Sequence, residues 1–202
     1  EKALEKYPQT ANALAQAGEL TVISGDIAEY ISDTKAPQGL FALAEKPAAE
    51  PGLSGASRLV LLDGVQDPGN VGTIIRTAEA LGFDGAMLSP DCADIWAPKT
   101  LRASMGSALR LPCVCGEMTD LIPELKERGF SVYGAMLDKT AQKLGEITFP
   151  KRSAVVIGSE GRGVSPEAAK LCTGAVYIPI SGAESLNAAA AAAIILWELS
   201  RK

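Results

Sequence analysis

The residues that could do chemistry are grouped in three short segments of the chain. The segments read "DPGNVGTIIRTAEALG", "VVIGSEGRGVSPE" and "ISGAESLNAAAAAA". Their notable polar side chains are those of Asn70, Arg76, Glu160, Arg162, Glu184, Ser185 and Asn187. The chain contains no histidine, which excludes Ser-His-Asp and Cys-His catalysis and the commonest general base at neutral pH. Any reaction must therefore use carboxylates, amides, hydroxyls, Lys, Arg or the backbone.

The first segment predicts a helix with a polar start. Asn70 follows a turn and can cap this helix, whose apolar residues recur at helical spacing. Arg76 lies opposite the apolar stripe, close to Thr73. Spacing alone is also typical of a capping asparagine followed by a solvated arginine.

The second segment predicts a ligand-binding loop. Gly158, Gly161 and Gly163 follow a buried strand, and glycine lets a ligand approach the backbone closely. The pattern is neither a P-loop nor GxGxxG, and the anionic Glu160 argues against a simple phosphate cradle. A flexible turn that leads into a helix at Ser165 is the alternative that the pattern leaves open.

The third segment places a polar cluster directly before six alanines. Ser185 or Asn187 can cap the final helix, although one cap does not explain the whole cluster. The first two turns of this helix offer no charged face, which predicts burial nearly all round. Trp197 and the apolar residues before it are expected in the core or in a subunit interface.

These segments must be positioned by a sheet, because short apolar strands alternate with helices from residue 58 onward. This alternation is typical of a mostly parallel α/β sheet with helices on both faces. Ligands of such sheets gather at the carboxyl ends of the strands, where the polar segments stand.

The N-terminal part has a different composition. In residues 1–47, "ELTVIS" and "GLFALAE" are predicted strands and "DIAEYISD" a short helix. Residues 48–57 are rich in Pro, Gly, Ala and Ser and read as a linker, which leaves 58–202 as the main domain. Because the first residue is Glu1, we expect that the chain starts partway through a longer protein.

Bulk properties exclude several function classes. The net charge of −5 gives no sign of bulk nucleic-acid or membrane binding, so a polyanion would need a local patch. No apolar run is long enough to span a membrane, and a cytoplasmic location follows weakly. The four cysteines form no CxxC pair, so we expect buried small hydrophobic residues and neither a metal site nor a disulfide.

Together, the three segments resemble the three motifs of the SpoU (TrmH-like) branch of the SPOUT RNA methyltransferases. They occur in the family's order, and the resemblance covers residues 57–202. It implies a C-terminal deep trefoil knot, S-adenosylmethionine as cofactor, a homodimer, and methylation of a ribose 2′-hydroxyl of ribosomal or transfer RNA. "SDTKAPQGLFALAEKP" is similar to the end of the ribosomal-protein-L30-like RNA-recognition domain that often precedes this catalytic domain.

The resemblance also implies roles for individual residues. Arg76 is the expected catalytic arginine, supported by Asn70, Glu160, Ser185 and Asn187, while Arg102 and Arg162 are candidate contacts to RNA phosphate. The expected cofactor-binding residues are Ala135, Met136, Leu137, Ile157, Gly158, Ile178, Ile180 and Leu186.

Two other functions remain open from the residues themselves. One is a nucleotide-binding enzyme on an ordinary doubly wound sheet, although a recognisable phosphate fingerprint is missing. The other is a non-catalytic RNA-binding protein that retains the SPOUT fold, which the intact polar motif positions disfavour.

Overall fold

The computed structural model describes residues 5–32, 34, 36–46, 52–182 and 185–201. Contacts divide the chain into an N-terminal unit, Glu1–Lys46, and a C-terminal unit, Pro47–Lys202. The C-terminal unit contains the sheet and all three polar segments. Residues 48–51 of the predicted linker, and Pro47 before them, lie outside the described residues.

The C-terminal unit is built on a parallel sheet that has seven strands within the described residues. In chain order the strands are β1 Arg58–Asp63, β2 Gly85–Leu88, β3 Cys113–Cys115, β4 Ser131–Ala135, β5 Gln142–Lys143, β6 Ser153–Gly158 and β7 Gly174–Tyr177. Their order across the sheet is β3-β2-β1-β6-β4-β7-β5, and each neighbouring pair is parallel. The predicted parallel α/β sheet is confirmed.

Helices cover both faces of the sheet. They are α3 Pro68–Ala80, α4 Pro98–Ser104, α5 Met118–Glu127, α6 Pro166–Leu171 and α7 Ala188–Ser200, with a 3-10 turn at Ser107–Leu109. Successive residues of β1 point to opposite faces, so Val60 packs with α3 and α7, whereas Leu61 packs with α5 and α6. The strands are apolar throughout because both faces are buried.

The polar start of α3 differs in one detail from the prediction. Asp67, not Asn70, is the N-cap, and its side chain accepts a hydrogen bond from the Asn70 N–H at 2.9 Å. The helix therefore begins at Pro68, where a missing N–H costs nothing. As a result, the Asn70 side chain is not used in capping.

The final helix is capped as predicted but is less buried than predicted. Asn187 is the N-cap, and its Oδ1 accepts from the backbone of Ala189 and Ala190 at 3.0 and 3.2 Å. One face packs on the sheet, yet Ile194 and Trp197 are 43% and 55% exposed. The expected burial all round is wrong for a single chain, because no described element covers this outer face.

The N-terminal unit contains α1, Pro8–Ala17, and α2, Gly25–Ile31, within its described residues. The helix predicted from "DIAEYISD" is confirmed as α2. The strands predicted from "ELTVIS" and "GLFALAE" are wrong, since residues 19–24 and 39–45 form no ladder. A strand needs a hydrogen-bonded neighbour, and Ala11 is the one buried hydrophobic residue in the described part of this unit.

Candidate functional site

A cleft opens at the carboxyl ends of β4, β6 and β7, beside the start of α7. Its volume is about 360 Å³, within the range of roughly 300–1,000 Å³ that is usual for small-molecule sites. Backbone turns and apolar side chains form most of its wall, and the polar side chains of Glu160 and Ser185 reach it. This position at the strand ends is where parallel sheets bind ligands.

All the residues expected to bind a cofactor line this one cleft: Ala135, Met136, Leu137, Ile157, Gly158, Ile178, Ile180 and Leu186. They come from three places that are far apart in sequence: the end of β4 with the loop after it, the end of β6, and the segment after β7. These places meet because β4 pairs with both β6 and β7. Apolar walls suit a flat heteroaromatic ring.

The glycine-rich loop is tightly folded where it enters the cleft. Ser159 and Gly163 exchange two backbone hydrogen bonds, at 2.8 and 3.2 Å, which close the loop on itself. A Cβ on Gly158 would lie 2.0 Å from the backbone carbon of Gly163. Only glycine at position 158 therefore allows the backbone of Gly163 to come this close. Both glycines line the cleft.

Three polar side chains meet beside the cleft, and we call Asn70, Glu160 and Asn187 the polar trio. The Asn70 Nδ2 donates to the Glu160 carboxylate, and the Asn187 Nδ2 donates to the Asn70 Oδ1 at 3.1 Å. The trio thus joins one residue from each of the three polar segments. Ser185 lies on the cleft wall two residues before Asn187. Glu184 lies outside the described residues.

The order of the strands in the sheet explains why the residues of the polar trio lie together. Asp63, the last residue of β1, is in register with Gly158, the last residue of β6, so the loops that follow these strands are neighbours. The buried Asp63 carboxylate also accepts the Ser165 N–H at 2.7 Å, which fixes the far end of the glycine-rich loop. Sequence reasoning missed this role, although a carboxylate at the end of a buried strand is a recognisable signal.

Arg76 stands apart from the polar trio. It lies six residues after Asn70, about 9 Å along α3, and its side chain is exposed. It lines a shallow cavity between α3 and α7 together with Thr73, Ala193 and Trp197. Within the described residues, no hydrogen bond or ion pair joins Arg76 to the trio.

The two candidate RNA contacts are both exposed. Arg162 lies at the tip of the glycine-rich loop, and its backbone N–H donates to the Ser159 Oγ at 3.3 Å. Arg102 lies on α4, which packs against α3.

At the start of these helices, Lys99 pairs with Asp67 at 3.4 Å. The pKa of Asp67 is lowered, chiefly because it accepts the Asn70 N–H and also because of Lys99.

None of the four cysteines, all of which lie in the described part of the chain, forms a disulfide. Burial raises the pKa of Cys113 to about 12 and that of Cys172 to about 11, whereas Cys115 is exposed. The described residues hold no cluster of three or more His, Cys, Asp or Glu that could bind a metal. In the same part of the chain, no helix combines the length and the apolarity needed to cross a bilayer.

Comparisons with known proteins show the family of this chain. Residues 57–197 match the model of the SpoU rRNA methylase family. The chain is 38% identical over 179 residues to the Bacillus subtilis 23S rRNA (guanosine(2553)-2′-O)-methyltransferase RlmP, and the alignment covers 88% of this chain and 71% of the relative. A 23S rRNA (uridine(2479)-2′-O)-methyltransferase of Streptomyces viridochromogenes is 30% identical and aligns with 100% of this chain and 74% of its own length.

Solved structures are similar over comparable lengths. An rRNA methyltransferase from Sinorhizobium meliloti has a TM-score of 0.80 and 30% identity, with 98% of this chain and 76% of that chain covered. The AviRb methyltransferase of Streptomyces viridochromogenes, solved with AdoMet, has a TM-score of 0.64 and 35% identity. That match covers 72% of this chain and 60% of the other.

Proposed function

The chain belongs to the SpoU rRNA methylase family, and on that premise we propose that it is an S-adenosylmethionine-dependent RNA methyltransferase. The methyl group is transferred to a ribose 2′-hydroxyl of ribosomal or transfer RNA. Ribosomal RNA is better supported, because two relatives carry names that specify 23S rRNA. The observation that carries the proposal is the polar trio beside a largely apolar cleft.

The residues of the cleft fit the cofactor. Ile157, Ile178 and Leu186 offer apolar surface for the adenine, while backbone groups of the strand ends can bind the heteroatoms of the adenine and the ribose. When bound, S-adenosylmethionine supplies an electrophilic methyl group on a sulfonium. The protein must then orient the ribose hydroxyl and help to remove one proton.

Arg76 acts in this proposal by charge and geometry. Its guanidinium stays protonated in proteins, so it does not serve as a general base. Arg76 holds an RNA phosphate and stabilises the negative charge that develops on the 2′-oxygen. The hydroxyl proton leaves to Glu160, the one carboxylate that lines the cleft in the described range, or to water. Arg102 and Arg162 bind further phosphates.

A homodimer is the proposed assembly. The outer face of α7 exposes Ile194 and Trp197 beside Arg76, and burial of such an apolar face is a typical basis for subunit pairing. Pairing across this face puts Arg76 at the boundary between subunits. An RNA bound at this boundary can contact Arg76 and the proposed cofactor cleft at the same time.

The finer architecture is also proposed by family resemblance. The C-terminal segment forms a deep trefoil knot, which is supported by the way in which the loops around Gly158 and Leu186 line the same cleft. Residues 1–47 are the end of an L30-like RNA-recognition domain, 48–57 a linker and 58–202 the catalytic domain. A cytoplasmic location is part of this proposal, and it is supported by the proposed ribosomal or transfer RNA substrate.

A calorimetric titration with S-adenosylmethionine tests the proposed function. We expect saturable binding with one site per chain. ATP, which shares the adenosine but carries a triphosphate, serves as the control and is expected not to bind. RNA binding without S-adenosylmethionine binding would support the non-catalytic alternative, and tight ATP binding would support a nucleotide-binding enzyme.

A further inference from the structure

Asp63 carries a carboxylate that is buried at the end of β1 and does not line the proposed cofactor cleft. The residue is 8% exposed, and it lines a second cavity, of about 270 Å³, together with Ser89, Ser165 and Glu167. Burial of a carboxylate is costly unless hydrogen bonds compensate for its lost hydration. The hydrogen bond that Asp63 accepts therefore indicates the role of this residue.

That hydrogen bond joins two distant parts of the chain. The Asp63 Oδ2 accepts the backbone N–H of Ser165 at 2.7 Å, and hydrogen bonds to a carboxylate are roughly twice as strong as those between neutral groups. Ser165 also begins α6, because its Oγ accepts the Ala168 N–H at 3.3 Å. The end of the glycine-rich loop is thus held both by β1 and by the start of a helix.

Asp63 holds the start of the same loop as well. Its backbone is in register with Gly158 where β1 pairs with β6, so strand pairing fixes Gly158 and the carboxylate fixes Ser165. Between these points the loop folds back tightly, since a Cβ on Gly158 would lie 2.1 Å from the backbone nitrogen of Val164. Val164 is buried and precedes Ser165 directly. A shift of Ser165 would therefore change the contact between Val164 and Gly158.

The loop between these two points carries part of the candidate site. Gly158, Glu160 and Gly163 line the cleft. The Glu160 carboxylate also accepts the hydrogen bond of Asn70. Such a site needs support from the residues behind it, because a displacement of about 1 Å is enough to weaken binding or reaction. Asp63 gives this support from outside the cleft.

We propose that Asp63 is a positioning residue for methyl transfer. Its hydrogen bond to Ser165 holds the glycine-rich loop in the shape that binds S-adenosylmethionine and that keeps Glu160 beside Asn70. This inference rests on the proposed function and adds a residue that lies outside the lining of the cleft. Asp63 acts only through the backbone of the loop.

Asp63→Ala removes the acceptor and tests this role in the full chain. Because a hydrogen bond to a charged group is lost, we expect the Kd for S-adenosylmethionine to rise about fivefold or more in calorimetry. The single-turnover rate of methyl transfer to an unmodified 23S rRNA transcript should fall severalfold even at saturating S-adenosylmethionine, because Glu160 is then displaced. A residue that only stabilised the fold would lower the melting temperature and leave both values unchanged.

Asp63→Asn and Glu167→Gln are the matched variants. Asn keeps an oxygen acceptor at the same position, so it should restore most of the affinity that Ala loses. Glu167→Gln removes the charge of an exposed carboxylate that lines the same second cavity but lies beyond the loop, on α6. It should bind S-adenosylmethionine and transfer the methyl group like the wild type.

Ser165→Pro removes the donor of the same hydrogen bond. The φ of Ser165 is −60°, which is close to the φ of proline, but the variant also loses the Oγ cap of α6. Ser165→Ala, which loses only the cap, is therefore its reference. We expect weaker S-adenosylmethionine binding in Ser165→Pro than in Ser165→Ala, and no further loss when Asp63→Ala is added to Ser165→Pro.

A Kd like that of the wild type in folded Asp63→Ala would overturn the inference, and so would a Ser165→Pro variant that binds like Ser165→Ala. If Asp63→Ala does not fold, the comparison of the two Ser165 variants decides alone. An equal loss of affinity in Glu167→Gln would also overturn it, because the charge of the second cavity and not the hydrogen bond would then be responsible. A wild-type chain that binds no S-adenosylmethionine contradicts the proposed function itself.

Discussion

At the scale of single residues, two amides stand beside one carboxylate, and one of them, Asn187, has a second task. The Asn187 Oδ1 caps α7 while its Nδ2 bonds Asn70, so the start of the helix and the polar trio are fixed by one side chain. Asn70 in turn donates to Glu160. This arrangement holds the carboxylate in one orientation at the cleft, as positioned general bases require.

Substitution of Arg76 tests the proposed chemistry at this scale. Arg76→Lys keeps a positive charge but loses the planar fork that binds phosphate in two places. We expect the rate of methyl transfer to fall by about 100-fold, roughly 2.7 kcal/mol, with unchanged binding of S-adenosylmethionine and an unchanged melting temperature. The assay is single-turnover methyl transfer to an RNA substrate.

Arg162→Lys is the matched control, because Arg162 is proposed only to contact phosphate by charge. It should lower the rate severalfold at most. Turnover close to wild type in folded Arg76→Lys would show that this arginine is not needed for the reaction.

At the scale of elements, the strands of the core could be predicted because their apolar runs are continuous and buried on both faces. The two-residue β5 was missed, since exposed Gln142 and Lys143 carry no apolar signal. The segment "KTLRASMGSAL" does not form one continuous helix, because Met105 and Gly106 have positive φ. A left-handed methionine depends on tertiary contacts that a single sequence does not reveal.

The candidate site, like the fold, could be predicted from the sequence only in part. The meeting of the three polar segments follows from the rule that ligands gather at strand ends, and the residues of the cleft follow from motif resemblance. The separation of Arg76 from Asn70 follows from their spacing along one helix, whereas the cavity that Arg76 lines beside α7 depends on how the two helices pack. Asp67 and Asn70 are both residue types that cap helices. Which of them is the cap depends on where the helix begins, and it begins at Pro68.

The glycine-rich loop offers a prediction at the element scale. Gly158→Ala should distort the loop, because the new methyl group would overlap the backbone of Gly163. We expect a loss of more than tenfold in S-adenosylmethionine affinity and a lower free energy of unfolding, by roughly 1–3 kcal/mol. Calorimetry and urea unfolding measure the two effects.

Gly161→Ala is the control in the same loop, since a Cβ there meets no atom within 4 Å. It should bind S-adenosylmethionine like the wild type. Equal affinity in the two variants would mean that the close approach at Gly158 does not shape the cleft.

At the scale of the whole molecule, an acidic chain must bind an acidic polymer. The net charge is −5, so RNA affinity requires a local group of cations, and Arg76, Arg102 and Arg162 are the residues proposed for it. Such binding releases counterions and weakens steeply with salt. The exposed face of α7 lies beside Arg76, which links the proposed assembly to the proposed RNA surface.

The assembly can be tested on that face. Trp197→Glu places a charge in the proposed interface, where an unpaired buried charge is costly. We expect a dimer for the wild type and a monomer for the variant in sedimentation velocity, together with loss of methyl transfer. Leu43→Glu, at an exposed apolar residue of the N-terminal unit, should remain dimeric. A wild-type monomer, or a dimeric Trp197→Glu, would contradict the proposed interface.

The most direct measurement for the central claim follows the methyl group itself. An unmodified 23S rRNA transcript is incubated with the protein and with S-adenosylmethionine that carries an isotopically labelled methyl group, and the RNA is then digested to nucleosides for mass spectrometry. The account predicts label on the ribose 2′-oxygen of one nucleoside, and labelling that is about 100-fold slower with Arg76→Lys and strongly slowed with Asn187→Ala. Label on a base, or an unlabelled ribose despite bound cofactor and RNA, would contradict it.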